Sequence, residues 1–232
     1  MPLSKLTPLK RQTLSFDVYD QFKDLLMSGR MIPGEQISLR GIASAFGVSV
    51  MPVREAVHRL TAEQALELTP KRALRVPMMT VSQFREITTI RINLEGLATE
   101  RAAQLLSAAA IAKIAMLNSL FSEEMAKPKP DGAKLIVLNK AFHFAVYDGA
   151  RMPTLMKLIE VLWVRIGPIL NYDLRSGSRR VSDGVAASHH GRLVEALMQN
   201  DSAAARDALR GDIETAADFI VSAGVLIIAD PT

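Results

Sequence analysis

Apolar residues recur at helical spacing along most of this chain, and only short segments interrupt them. Leu39, Ile42, Ala43 and Phe46, for example, lie three or four positions apart, as on one buried helix face. Helices are predicted over residues 14–28, 39–46, 50–63, 87–106, 108–125, 134–147, 153–171, 185–199 and 202–225. Short strands are predicted only at residues 36–37, 65–69 and 73–76. The chain is therefore predicted to be mainly α.

Two of the short helical patterns meet at a tight turn near residue 47. Gly47 is expected to end the first, because glycine reaches the positive φ of a helix C-cap. Ser49 is expected to cap the second through its hydroxyl, and Pro52 falls in the first turn, where no N–H is needed. A hairpin with a basic tip follows over residues 65–76. This order predicts a winged helix-turn-helix, the arrangement that places a second helix in the DNA major groove.

Residues 18–77 resemble the DNA-binding domain of GntR-type transcriptional regulators. Many residues carry the resemblance in one order: Gly29, Pro33-Gly34-Glu35, Leu39-Arg40, Gly47-Val48-Ser49, Pro52-Val53-Arg54-Glu55-Ala56-Val57 and Arg59-Leu60. The resemblance implies that DNA faces Arg40, Ser49, Val50, Met51, Pro52 and Arg54, together with Lys71 and Arg72 at the wing tip. It departs at Val50, where many members carry Arg, so Val50 and Met51 are expected to touch thymine methyl groups instead.

Each of these DNA contacts has a structural alternative. Arg54 can form a surface ion pair with a helical neighbour, whereas in the DNA reading it bonds guanine or phosphate. Lys71 and Arg72 can belong to a solvated turn, whereas in the DNA reading they contact the phosphate backbone. Ser49, with the free N–H groups of the helix start, suits a phosphate.

The remainder of the chain resembles the all-helical FCD effector domain of the FadR-like branch of that family. Two domains are therefore expected: a winged helix-turn-helix over residues 1–78 and an antiparallel helical bundle over residues 79–232 that binds an effector and dimerises. Residues 77–80 form the expected linker. It has no Gly/Ser-rich tether, so the join is expected to be semi-rigid.

Four polar residues in the second half form a candidate metal site: Asn139, His143, His190 and Asp212. Asn139 and His143 share one helical face because they are four residues apart. In the metal-binding FCD subgroup an Asp and three His hold a divalent ion, so this chain matches at the two His and departs at Asn139 and Asp212. Two imidazoles and a carboxylate still suit Zn, Ni, Mn or Fe(II), with Asn139 as a weak fourth ligand. The alternative is a pair of hydrogen-bonded core histidines around a metal-free cavity.

A carboxylate effector would need a cation in the same cavity. Arg91 is the first candidate, in a run with Glu95 that resembles the FCD opening helix, and Arg165 is the second. The alternative for Arg91 is an ion pair with Glu95 along the helix. His189 is expected to be a surface residue, because it points away from His190.

Composition narrows the class of protein further. Hydrophobic residues make up 49% and aromatic residues 5%, which suits packed helices better than a β-sandwich. There is no cysteine, so disulfides and thiolate metal sites are excluded. With no signal-like or membrane-length apolar run, a cytoplasmic protein is expected. Residues 1–77 hold 11 Lys or Arg and 7 Asp or Glu, whereas the rest holds 17 of each, so the basic excess coincides with the predicted DNA-binding half.

Two functions of different class remain from the sequence. The first is a transcriptional regulator, a homodimer that binds an inverted-repeat operator as a repressor and answers to a small carboxylate. The second is a metal-dependent enzyme acting on small organic acids through the two His and the carboxylate. The enzyme hypothesis is weaker because no nucleophile elbow, phosphate loop or paired acid and base carboxylates accompany the set. It also gives the DNA-binding half no purpose.

Overall fold

The structure is a computed structural model that describes residues 14–69, 73–172, 174 and 183–228. Within them the helices are α1 Leu14–Met27, α2 Leu39–Phe46, α3 Val50–Ala62, α4 Val81–Leu105, α5 Ala108–Met125, α6 Gly132–Asp148, α7 Pro153–Leu170, α8 Val185–Met198 and α9 Ser202–Ser222. The strands are β1 Gln36–Ile37, β2 Glu67–Leu68 and β3 Leu74–Arg75. The prediction of a mainly α chain with a winged helix-turn-helix is confirmed.

The N-terminal half packs three helices against a small sheet. The strand order is β1-β3-β2, with both pairs antiparallel, so β2 and β3 form the hairpin of the wing. Ser38 caps α2 by accepting a hydrogen bond from the Gly41 N–H. Gly47 ends α2 at a φ of 64°, in the left-handed region that glycine reaches without strain. These local signals set the angle between α2 and α3.

Two helices start earlier than the apolar spacing indicates, and in both cases a cap is the reason. α4 begins at Val81 because Thr80 and Gln83 form a capping box, in which each side chain bonds the other residue's backbone N–H. α6 begins at Gly132 because the Asp131 carboxylate accepts hydrogen bonds from two backbone N–H groups. Apolar spacing marks the buried face of a helix, so it misses a first turn that caps hold in place.

The second half is a helical bundle in which α9 packs along α4 and α8, and α5 packs against α6 and α8. α4 crosses the bundle and also contacts α6 and α7. Trp163, Phe142 and Tyr147 are among its largest fully buried side chains. The polar residues discussed below lie among these aromatic rings, in the interior of the bundle.

The two halves are in direct contact through α1 and α7. Asn171, just after α7, donates its side-chain N–H to the carbonyl oxygen of Met27 at 2.6 Å. Gly167 lies so close to the end of α1 that a Cβ there would stand 2.7 Å from the Leu26 carbonyl oxygen. An ion pair between Lys140 and Asp24, at 2.8 Å, adds a contact from α6. The N-terminal half is therefore seated against the bundle.

The segment between the halves is also braced. Thr80 forms a parallel bridge with Ile227, whose N–H donates to Met79 and whose carbonyl accepts from Val81, both at 3.0 Å. The predicted division at residues 78 and 79 stays a prediction, as do the wing-tip contacts of Lys71 and Arg72, which lie outside the described residues. None of the helices described is long and apolar enough to cross a membrane.

Candidate functional site

The start of α3 presents a cluster of exposed side chains next to α2. Arg40 on α2 and Met51 and Arg54 on α3 are exposed, as is Ser49 directly before α3. The opposite face of α3 is buried in the core through Val53, Ala56, Val57 and Leu60. Val50 and Pro52 are half-buried and fill the edge of the cluster. The sequence-predicted DNA-facing residues of this region are therefore exposed or half-buried, on α2 and at the start of α3.

The charged members of this surface have no ion pair with any residue that the structure describes. This is the case for both Arg40 and Arg54, so the alternative of a surface ion pair for Arg54 is not seen there. Ser49 has the extended backbone of an N-cap, but its side chain makes no capping hydrogen bond. The expectation that Ser49 caps α3 through its hydroxyl is wrong, since this exposed residue forms no hydrogen bond from its side chain to the α3 backbone.

A different arginine on α3 has a structural role. The Arg59 guanidinium lies 3.6 Å from the centre of the Tyr19 ring on α1 and also pairs with Glu63 at 3.1 Å. Tyr19 donates its hydroxyl to the same Glu63 carboxylate at 2.8 Å. Burial and this neighbouring carboxylate raise the pKa of Tyr19, so the hydroxyl remains a donor. The far end of α3 is thereby fixed to α1, which leaves the exposed start of the helix for contact with a partner.

In the bundle, His143 of α6, His190 of α8 and Asp212 of α9 converge. The Asp212 Oδ2 atom lies 3.2 Å from His143 Nε2 and 3.7 Å from His190 Nε2. One possible ligand atom from each of the three lies within 4.8 Å of the others, and all three residues are buried. Ligand atoms that surround one ion at ~2.0–2.2 Å stand roughly 3–4 Å apart. The distances of 3.2 and 3.7 Å from Asp212 to the two imidazoles lie in this range, so these two contacts are compatible with a shared divalent metal.

Aromatic rings fix the two imidazoles in place. His190 stacks on Phe142, with ring centres 4.0 Å apart, and a second ring, Phe121, lies at 4.9 Å. His143 meets His190 edge-on at 5.0 Å and lies 5.7 Å from Trp163. Imidazoles held this way keep their nitrogens aimed at one point, which favours a preformed binding site.

A small cavity adjoins two of the three residues, His143 and Asp212. Arg91, Asn139 and Trp163 line it together with His143 and Asp212. Its volume is about 20 Å³, far smaller than the roughly 300–1,000 Å³ of ordinary ligand pockets. Asn139 thus lies beside the candidate ligands, as its spacing from His143 predicted. Arg165 is half-buried on α7 and is not part of the cavity lining as described, so its role in effector binding stays a prediction.

Arg91 is buried and paired along its own helix with Glu95. Its Nε and Nη2 donate to the two carboxylate oxygens at 2.6 and 3.2 Å. Burial alone would lower the pKa of Arg91, but the charge of Glu95 and its hydrogen bond raise it, so the guanidinium is charged. The sequence left two alternatives for Arg91, an ion pair with Glu95 and a position at the cavity. The structure has both.

Two residues of this region escaped the sequence analysis. Tyr147 donates its hydroxyl to Glu95 and lies 3.3 Å from His143 Nδ1, and its position four residues after His143 was the available signal. The expectation that His189 is a surface residue is wrong. It is buried against Gly211, and its Nδ1 lies 2.9 Å from an Arg192 nitrogen, because α9 approaches α8 closely at a glycine.

Comparison with known families finds two matches that together span most of the chain. The model of the bacterial regulatory proteins of the gntR family matches residues 14–76. The model of the FCD domain matches residues 86–215, which is more than half of the chain. The first range holds the exposed start of α3, and the second holds the His143, His190 and Asp212 cluster.

Individual relatives agree with these matches. The HTH-type transcriptional regulator McbR of Escherichia coli (strain K12) is 35% identical over 164 residues, covering 71% of this chain and 73% of McbR. The HTH-type transcriptional regulator YdhC of Bacillus subtilis (strain 168) is 29% identical, covering 88% of this chain and 87% of YdhC. The solved structure of E. coli McbR has a TM-score of 0.84, with 28% identity over 92% of this chain and 99% of that one. A GntR regulator from Rhodococcus sp. RHA1, at 20% identity and a TM-score of 0.71, covers 90% of this chain and 98% of its own and shares the fold.

Proposed function

Because the chain belongs to the gntR family of bacterial regulatory proteins and carries an FCD domain, we propose that this transcriptional regulator is a homodimeric repressor released from its operator by a small carboxylate. The observation that carries the DNA-binding part is the exposed start of α3, where Ser49, Met51 and Arg54 are accessible, together with the exposed Arg40 on α2. A helix supported on its far side and exposed at its start is the geometry with which helix-turn-helix proteins read the major groove.

On DNA, each of these side chains has a contact suited to its chemistry. Arg54 and Arg40 bond guanine edges or phosphates, and their lack of ion pairs with described residues leaves the guanidinium groups available. Met51 is 58% exposed and offers an apolar surface to a thymine methyl. The Ser49 hydroxyl and the first N–H groups of α3 donate hydrogen bonds to a phosphate at the helix N-terminus. For Lys71 and Arg72, which lie outside the described residues, contact with the DNA backbone stays a prediction from the sequence.

A two-fold dimer follows from the small size of one module. A single recognition helix contacts few base pairs, whereas two helices on one frame combine their affinities over an inverted repeat. The bundle supplies the frame, because the N-terminal half is already seated on α7.

The test is the contribution of Arg54 to operator binding. Duplexes selected by the wild-type protein from a randomised library should contain an inverted repeat, and Arg54→Ala should weaken binding to them by ~1–3 kcal/mol. Fluorescence anisotropy at fixed salt measures the affinities. Arg101→Ala, at an exposed arginine on α4, is the matched control and should bind as tightly as wild type. Wild-type affinity in Arg54→Ala would refute the recognition-helix assignment.

For the bundle, we propose a divalent metal held by His143, His190 and Asp212, with the Asn139 carbonyl as a fourth ligand. The buried donor set and its spacing support this, and the donor types suit Zn, Ni, Mn or Fe(II). Such an ion supplies a buried positive charge that attracts a carboxylate. Arg91 would hold the second polar group of the effector, since only its Nε and Nη2 are engaged by Glu95 within the described chain.

The small size of the cavity suggests how effector binding would change the affinity for DNA. A volume of about 20 Å³ is far below the roughly 300–1,000 Å³ of ordinary ligand pockets, so effector binding requires the surrounding helices to move. Trp163 and Leu170 of α7 line this cavity, and the last turn of the same helix touches α1. Effector entry is therefore expected to displace the N-terminal half, a coupling free energy between the two sites.

Metal content is measured separately from DNA binding. After dialysis against Zn²⁺ and desalting, the wild type should retain about one ion per chain by elemental analysis, and His143→Ala should lose it. His58→Ala, at an exposed histidine on α3, is the matched control and should retain the ion. Equal, near-zero contents in the wild type and in His143→Ala would remove the metal from the proposal.

A further inference from the structure

We infer that Tyr147 is a positioning residue for His143, which it holds with a hydrogen on Nδ1 so that Nε2 presents its lone pair to the cluster. The inference rests on the proposed metal site and deepens it, because Tyr147 is not itself a candidate ligand. Four buried residues on two helices carry the argument: Arg91 and Glu95 on α4, and His143 and Tyr147 on α6.

These residues form one continuous chain of hydrogen bonds. Arg91 donates to both carboxylate oxygens of Glu95. Tyr147 Oη lies 2.5 Å from Glu95 Oε2 and 3.3 Å from His143 Nδ1. His143 Nε2, on the other side of the ring, lies 3.2 Å from Asp212 Oδ2. The imidazole therefore has the tyrosine on one side and the candidate metal ligands on the other.

The direction of each hydrogen bond follows from the number of protons available. A carboxylate paired with a guanidinium can only accept, so the single Tyr147 proton goes to Glu95. The tyrosine oxygen then has only lone pairs to offer His143, and Nδ1 must supply the hydrogen. With the hydrogen on Nδ1, Nε2 is the nitrogen that can bind a metal beside Asp212. While no ion is bound, the Asp212 carboxylate competes with Tyr147 by accepting a hydrogen from Nε2, so the tautomer reports which of the two acceptors prevails.

The electrostatics of the site maintain this arrangement. Burial, and after it the charge of Glu95, raises the pKa of Tyr147 well above its ordinary value, so the hydroxyl keeps its proton. Glu95 is fully buried and Arg91 nearly so, which excludes the water that would compete for the tyrosine proton. Outer hydrogen bonds of this kind set the tautomer and orientation of metal-binding histidines in other proteins.

The pairing of the two helices is a consequence of helical spacing. Arg91 and Glu95 are four residues apart on α4, and His143 and Tyr147 are four apart on α6, so each pair occupies one face of its helix. α4 and α6 pack against each other and bring the two faces together. The same chain joins Arg91, the expected effector contact, to His143, the expected metal ligand.

The experiment compares Tyr147→Phe with Tyr19→Phe, which removes a second buried hydroxyl that also donates to a glutamate. Histidine ¹⁵N NMR of the metal-free wild type, assigned with His143→Gln, should show Nδ1 of His143 as an N–H nitrogen. Tyr147→Phe should lose this single form and give a mixture of tautomers. Tyr19→Phe should leave the His143 signals unchanged.

Zn²⁺ affinity, measured by competition with a chromophoric chelator, is the second readout. Tyr147→Phe should bind Zn²⁺ about 10–100-fold more weakly than wild type, and Tyr19→Phe should not. A bare Nδ1 in the wild type, which requires no variant to fold, would overturn the inference. So would wild-type Zn²⁺ affinity in Tyr147→Phe. If the wild type binds no Zn²⁺, the metal proposal fails, and the nitrogen signals alone decide the role of Tyr147.

Discussion

Glu124 shows how much one buried side chain can do at a helix end. It lies near the end of α5, is only 2% exposed, and pairs with Lys127 at 2.7 Å and Lys134 at 2.8 Å. It also accepts a hydrogen bond from the backbone N–H of Asp131, the residue that caps α6. Hydrogen bonds from Lys127, Lys134 and Asp131 lower the pKa of Glu124 to about 2. The turn between α5 and α6 is thus tied together by one carboxylate.

The lowered pKa predicts an acid-dependent stability. Since the folded pKa lies below the ordinary value of 4.5, the ionised carboxylate stabilises the fold above that pH, and this contribution is lost as pH falls from about 4.5 towards 2. Urea unfolding at several pH values should show Glu124→Gln less stable than wild type at neutral pH, with the difference shrinking in acid. Glu123→Gln, at the exposed neighbour, is the control and should match wild type throughout. A difference independent of pH would contradict the ionic origin.

At the scale of single elements, α7 has two surfaces with different tasks. One carries Trp163, which lies 5.2 Å from the Arg91 guanidinium at the cavity. The other carries Gly167, whose missing side chain lets α1 approach, and Asn171 follows with its bond to Met27. Apolar spacing predicted α7 as a helix but not the second surface, because a glycine and a polar residue leave no apolar signal.

Substitution of Gly167 tests this close approach. In Gly167→Ala the new Cβ would lie 2.7 Å from the Leu26 carbonyl oxygen and 2.9 Å from Met27 Cα, so backbone must move, at a cost of ~1–3 kcal/mol. We expect a lower free energy of unfolding and an altered DNA affinity. Both are measured against Gly191→Ala on α8, where nothing lies within 4 Å of the new Cβ and the helix gains roughly 1 kcal/mol in propensity. If Gly167→Ala were as stable as Gly191→Ala, the α1–α7 contact would not be tight.

At the scale of the whole molecule, local signals in the sequence predicted the elements well. Gly47 marks the end of α2 by its backbone chemistry, and this position agrees with the structure. The helices of the bundle were recovered to within a few residues, except the start of α4. Helix boundaries depend mainly on residues that are close together in the sequence, so they can be predicted from one sequence.

Features that depend on distant contacts were harder to predict. The residue types of the candidate site were evident, but the meeting of His143 with Asp212 depends on helices 69 residues apart in sequence. The burial of His189 and the hydrogen bond of Tyr147 to Glu95 depend on which helix faces meet. The spacing of apolar residues shows which face of a helix is buried, but not which other helix packs against it. The contacts around His143 and Asp212 could therefore be identified only from the structure.

The bridge between Thr80 and Ile227 makes the two ends of the bundle neighbours at the joint between the halves. Leu226 packs there with Met79, so the last described segment holds the connecting chain by an apolar contact as well as by hydrogen bonds. A protein shortened to end at Ser222 would keep each described helix and the contact between α1 and α7, but it would lose the hydrogen bonds and the apolar contact that hold the connecting segment. The segment after α9 thus stabilises the connection between the two halves, and a fusion tag attached to this segment is expected to disturb that connection.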